Sequence, residues 1–335
     1  MLSFDTLLDC VDIEKVKALK ENKVFLLTGF NGDRLVVKAD AVNKAQLKSA
    51  NWTMNAIDPR ARAKALKDTE LAELRLFADM GVFQLEMLEK SGINQVNDKH
   101  PMRELQGSPG WDGTGDFTWF KMEAHTLIDM EKAYTLAHRP GKNKPADLSH
   151  ITEFCTTLKG PGGLERLGEI IAVDLFNGYK DRFYPGGGFL FRQWKAIVNL
   201  GNVMLIMDSN NNLVPSGLDA VNRESPTWKQ QVTADWSGHL LSDIARRRTF
   251  AGDVIDDIEH IFAPIPPTAR RFKTPEPALG KHSKSVQRLI DGMRNGVKKI
   301  IQKVRDKGDK LGSLSKVDAG LFERYRLVSA LRTDI

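Results

Sequence analysis

The stretch 164–180 limits the fold more than any other part of the chain. It follows the breaker Gly160-Pro-Gly-Gly163 and sets Leu167, Ile170, Ile171, Asp174 and Leu175 at helical spacing. A helix this apolar predicts a core position, so the remaining elements must be long enough to surround it. With 335 residues the chain has material for one large domain or two modest ones. Its 41% apolar and 27% charged residues exclude a wholly disordered, collagen-like or disulfide-scaffold chain.

Ahead of that helix the pattern is mixed. Lys23-Val-Phe-Leu-Leu-Thr28 and Arg34-Leu-Val-Val-Lys38 flank Gly29-Phe-Asn-Gly32-Asp33 and read as a β-hairpin. From Asp58-Pro59 to about Lys90 the composition and spacing predict helix, interrupted near Gly81. Residues 101–115 read as a loop leading into a strand over Asp116–Glu123. Beyond the core helix, Val203–Met207 and Leu213–Asp219 around Asp208-Ser-Asn-Asn-Asn212 predict a second hairpin, and helix returns over Trp236–Phe262. Pro264, Pro266, Pro267, Pro275 and Pro277 form a linker to a basic amphipathic helix over 283–307.

Cys10 and Cys155 show neither paired nor metal-ligand spacing, and the seven histidines show no metal spacing, so neither a disulfide framework nor zinc is indicated. The first residues lack a basic, apolar, cleavable leader, and no apolar run approaches a membrane span of roughly 18 residues. The expectation is a cytoplasmic protein, or one delivered into a host cell by a specialised system that reads no hydrophobic signal. A formal charge of +6 permits anionic partners without demanding them.

The chemistry-bearing residues come in the order strand lysine, helix glutamate, then Asp, Asn and Asp at the ends of apolar segments. Phosphoryl transfer from a nucleotide uses that order. The run Leu167-Gly-Glu-Ile-Ile-Ala-Val-Asp-Leu-Phe-Asn-Gly-Tyr-Lys-Asp181-Arg182-Phe183, then Asn199-Leu-Gly-Asn202-Val, then Gly217-Leu-Asp219 resembles the protein-kinase-like superfamily. More closely, it resembles the atypical branch of actin-fragmin kinase and, more distantly, the phosphoinositide kinases. The resemblance spans about residues 20–260 and is sharpest over 167–221.

The resemblance implies an α+β, two-lobed fold: a sheet-bearing lobe over 1–123, a mainly helical lobe over 124–263, and the Pro-rich linker and basic helix over 264–335. It implies ATP and Mg²⁺ or Mn²⁺ as cofactors. Lys38 would hold the α and β phosphates, paired to Glu70 or, three residues on and on the same face, Glu73. Asp181 would be the catalytic carboxylate, with Arg182 beside it; Asn202 and Asp219 would hold the metal. Lys121–His125 would connect the lobes and meet the adenine. Asp181 and Asn202 stand 21 residues apart, far wider than in familiar kinases, with Pro185-Gly-Gly-Gly188 between them. Gly29 and Gly32 serve either as a simple turn or as a phosphate cover.

The implied acceptor is a Ser or Thr of a protein, with an inositol lipid as the first alternative. The rival from another class is a non-catalytic scaffold that works through its basic helix. That helix, with ten Lys/Arg and three Asp over 281–310, fits three uses: packing on the catalytic domain, contact with an anionic membrane, or contact with nucleic acid or polyphosphate. Transfer of AMP in place of phosphate is a third, weaker reading.

Overall fold

The computed structural model describes residues 17–20, 24–28, 34–41, 63–92, 100–112, 117–123, 130–138, 145–177, 182–191, 194–198, 202–208, 210–217, 244–262 and 278–307. It is an α+β chain with an N-terminal antiparallel sheet and later helices. Two compact units divide it: Met1–Asn51 with Arg60–His125 and Val221–Arg223, and Trp52–Pro59 with Thr126–Ala220 and Glu224–Ile335.

The first unit holds β1 (Lys17–Lys20), β2 (Val24–Thr28), β3 (Arg34–Asp40), β4 (Ala63–Ala65), α1 (Asp68–Lys90), α2 (Pro101–Gln106) and β5 (Thr118–Glu123). The sheet runs β1-β2-β3-β5-β4, every neighbour antiparallel. The expected hairpin is present, Val24 opposite Lys38 and Thr28 opposite Arg34. Alternation then sorts the side chains. Phe25, Leu27, Leu35, Val37, Ala39 and Trp119 join Leu74, Ala78 and Val82 of α1 and Met102 and Leu105 of α2 in one core.

Three expectations change here. The helix begins at Asp68 rather than Asp58, because Ala63–Ala65 adds a strand to β5 and the Leu66 N–H donates to Trp119 O at 2.9 Å. Tertiary pairing overrides the helical preference of the alanines. The helix continues through Gly81, whose missing Cβ would stand 2.5 Å from Met102 Cε. The expected loop over 101–115 opens with α2, started by Pro101 at its first position and by His100 Nδ1 accepting from the Met102 N–H at 3.2 Å.

The second unit holds α3 (Met130–His138), α4 (Ser149–Lys159), α5 (Gly163–Asn177), the hairpins β6–β7 (Phe183–Phe191, Trp194–Val198) and β8–β9 (Val203–Met207, Leu213–Gly217), α6 (Ile244–Phe262) and α7 (His282–Lys307). Leu164, Leu167, Ile170, Ile171, Ala172, Val173, Leu175 and Phe176 of α5 are all buried. In the turn of β8–β9, Asp208 Oδ1 accepts from the Asn210 and Asn212 N–H groups at 2.8 Å, and Asn211 takes a φ of 59°, a left-handed value that Asn tolerates.

The basic helix α7 spends its apolar stripe inside this unit. Val286, Leu289, Ile290, Met293, Val297, Ile300, Ile301 and Val304 are buried, and α7 lies along α5 and α6. The α5–α7 crossing is closed by glycine. A Cβ on Gly168 would strike Leu289 O, one on Gly292 would strike Glu165 O, and one on Gly296 would stand 2.7 Å from Ala172 Cβ. Arg288 binds Glu165 through Nε and Nη2 at 2.7 Å and donates to Lys159 O and Gly160 O at the end of α4, while Lys299 meets Glu169 at 2.6 Å. Among the described residues no helix is long and apolar enough to cross a membrane.

Candidate functional site

Among the described residues each unit carries a buried ion pair, and both involve segments singled out in the sequence. In the first unit Glu70 sits at the third position of α1. One of its oxygens accepts from the Lys67 N–H at 2.8 Å, the other from Lys121 Nζ at 2.8 Å. The Lys121 side chain is wholly buried. Burial pushes the Glu70 carboxyl up, but the Lys121 and Lys67 hydrogen bonds and charges outweigh it and hold the group below its ordinary 4.5.

Lys38 does not make this pair. In the register of β3 on β5, Val37 stands opposite Lys121 and Lys38 opposite Phe120. Cross-strand partners share a face and neighbours alternate. Lys121 therefore stands with Val37, Ala39 and Trp119 on the side that α1 covers, and Lys38 stands on the other. There its ammonium meets Asp40 at 2.9 Å and lies 5.7 Å from the centre of the Phe120 ring. Of the two candidate partners on α1, Glu70 is buried and Glu73 exposed. Lys121, Met122 and Glu123, expected in a connector, complete β5; residues 124 and 125 lie outside the described residues.

In the second unit Arg182 and Asp174 form a two-bond clamp, Nε to Oδ2 at 2.7 Å and Nη2 to Oδ1 at 2.6 Å, with both side chains buried. The planar guanidinium matches the carboxylate edge to edge. Gly217 lies against it: a Cβ there would stand 2.6 Å from Arg182 Cζ. Gly217 in turn pairs with Val203, the residue after the buried Asn202. Arg182 thus ties the end of α5, the start of β6 and the open end of the β8–β9 hairpin into one place.

The sequence reading missed Asp174, which it placed among the apolar positions of the core helix. A carboxylate on the buried side of such a helix was itself the signal that a cation must meet it. Asp181 and Asp219 lie outside the described residues. Asn202 supplies an amide oxygen of the kind that hard cations take. Among the described residues no three His, Cys, Asp or Glu side chains stand close enough to hold a metal. Cys155, beside a cavity of about 290 Å³ between α3, α4 and the end of α6, is not an activated thiol: it is pushed up to about 12 by burial and then by Glu259.

No family model matches this chain, and no curated protein matches it. One solved structure does, an aminoglycoside phosphotransferase from Alicyclobacillus acidocaldarius subsp. acidocaldarius. It is 11% identical, with 96% of this chain and 89% of that chain covered, and its TM-score of 0.22 is too low to establish a shared fold.

Proposed function

We propose that the chain is a phosphotransferase of the two-lobed protein-kinase-like type, moving the γ-phosphoryl group of ATP to a hydroxyl, with Ser or Thr of a protein as the acceptor. The observation that carries this reading is the Arg182 clamp. Asp181 precedes Arg182 in the chain, Asn202 precedes the Val203 that pairs with Gly217, and Asp219 follows Gly217 by two residues. The clamp supports the reading because Arg182 meets Asp174 and lies against Gly217, the strand partner of Val203, and the reading puts its three residues beside these positions in the chain.

The division of labour follows from the charges involved. Transfer between oxygens asks for positioning and charge neutralisation rather than covalent chemistry. Asp181 orients the acceptor hydroxyl and takes its proton. Asn202 and Asp219 would hold Mg²⁺ or Mn²⁺, which when bound neutralises the phosphate oxygens. The phosphate lysine of this reading is Lys121, not Lys38, since Lys121 is the one that a helix carboxylate holds; its wholly buried ammonium would have to come out of that pocket to meet a phosphate. Arg182, turned inward to Asp174, positions Asp181 rather than meeting phosphate.

The test is transfer from γ-labelled ATP with Mg²⁺ or Mn²⁺ to a generic protein, a eukaryotic lysate and phosphoinositide vesicles. Asp181→Ala, Asp219→Ala, Lys121→Met and Lys38→Met are run beside the native chain. The first three are expected to lose transfer by at least hundredfold, and Lys38→Met to keep most of it. Full activity in Asp181→Ala and Asp219→Ala would sink the reading. Label in lipid alone would move the acceptor to inositol. Absence of both ATP binding and transfer would leave a scaffold acting through the basic face of α7.

A further inference from the structure

Helix α1 carries a second apolar face besides the one it packs on the sheet. Leu74, Ala78 and Val82 are buried, while on the opposite side Leu76, Met80, Phe83 and Met87 are 61, 56, 63 and 51% exposed. Their spacing of four, three and four residues puts them within about 60° of arc at the helical period. They form one stripe about 16 Å long. Large apolar side chains scattered singly on a surface mean nothing, whereas four in line on one helix are the pattern of a face that expects a partner.

The flanks say what kind. Glu73 borders the stripe on one side, Asp79 and Glu86 on the other, all three exposed, with Lys90 at the C-terminal end. The whole chain carries +6, so this acidic frame runs against the overall charge. A second copy of α1 fits poorly. Paired antiparallel, it sets Asp79 and Glu86 against each other, and paired parallel it sets Asp79 on the side of Glu73. Like charges facing across an interface oppose association.

We propose that the stripe Leu76, Met80, Phe83 and Met87 is a docking site for an amphipathic helix of a partner protein, apolar on one face and flanked by Lys or Arg. The partner helix lays its apolar residues along the stripe, and its basic flanks meet Glu73, Asp79 and Glu86. Because the stripe does not touch Glu70 or the buried face of α1, occupying it leaves the first unit's core intact.

Two labelled 20-residue peptides test this, each with Leu at i, i+4, i+7 and i+11, one flanked by Lys and the other by Glu. Their binding to the full chain is read by fluorescence anisotropy. The Lys-flanked peptide is expected to bind at least tenfold tighter and to weaken with salt. The Phe83→Ser/Met87→Ser variant should lose at least tenfold of that binding with its Tm unchanged, and Glu73→Lys/Asp79→Lys/Glu86→Lys should reverse the preference between peptides. Hydroxyl-radical labelling should mark Met80, Phe83 and Met87 strongly in the free chain and weakly with the Lys-flanked peptide bound. Equal binding of both peptides, binding of neither, or a preference that survives charge reversal would overturn the proposal. So would protection of the stripe in the free monomer, or a dimer that Phe83→Ser/Met87→Ser dissolves.

Discussion

At Glu70 one carboxylate accepts from two donors, and the two have different consequences. The Lys67 N–H is an orphan donor of the helix start, and satisfying it stabilises α1 locally. The Lys121 ammonium is buried and charged, and leaving it alone would be far more costly. Glu70→Gln and Lys121→Met are each expected to destabilise the fold by about 3–5 kcal/mol, since each strands one buried charge. The double variant Glu70→Leu/Lys121→Met should recover most of that loss in chemical denaturation while staying inactive in transfer. A double variant as unstable as the sum of the singles would mean that the pair is not the unit described. Glu70 was singled out in the sequence as an acid that a strand lysine would meet, but which lysine was not legible. Whether Lys38 or Lys121 faces the helix depends on which strands pair and in what register, and a one-residue shift would exchange them. A single sequence carries no mark of that choice.

The pairing of α5 and α7 shows the same division between what a pattern states and what packing adds. Apolar residues at helical spacing in 283–307 made an amphipathic helix legible and left three uses open, and Val286, Leu289, Ile290, Met293, Val297, Ile300, Ile301 and Val304 are all buried. The glycines of α7 tell the opposite story from their propensity. Gly296 weakens an isolated helix, yet here it lets α7 lie against Ala172 and Glu169, as Gly292 lets it lie against Glu165. The reason lies in a helix more than a hundred residues upstream, which is why the local pattern could not supply it. Gly292→Ala is therefore expected to destabilise by about 1–3 kcal/mol, because the atom it would strike is backbone and cannot move aside. In α6, a Cβ at Gly252 meets nothing within 4 Å, so Gly252→Ala should stabilise by about 1 kcal/mol. Denaturation midpoints of the two variants moving in the same direction would contradict the close crossing.

Among the described residues the shifted carboxylates and histidines lean one way, downward. Burial, followed by the charge of a neighbouring histidine, lowers His138 against the lift from its bond to Ile261 O; burial, followed by Arg103, lowers His100. Burial raises Glu165 but Arg288 more than reverses it, and Glu70 is held down by its lysines. A depressed folded pKa gives stability that is present above the ordinary value and lost as pH falls through the folded one. Stability should thus begin to fall as acid passes the histidines' ordinary 6.5, and fall again below the glutamates' ordinary 4.5. Denaturant titrations at stepped pH check this, and a profile flat from pH 7 to 4 would refute it. At this scale the two hairpins and the core helix were readable because each rests on local periodicity, whereas the α+β class came from the resemblance. The strand over Ala63–Ala65 and the short helix after His100 were not, since the first is decided by a strand distant in sequence and the second by a cap; the β6–β7 hairpin was not, since Pro185-Gly-Gly-Gly188 reads as a breaker rather than as strand. The glycine crossing also sets a timetable for birth on the ribosome. Gly168 waits for Gly292, and at roughly 5–20 residues per second the nascent chain spends about 6–25 s with one side of α5 bare. Over that interval the side of α5 that α7 later covers is without its partner, and any pause in the proline-bearing stretch before α7 lengthens that exposure.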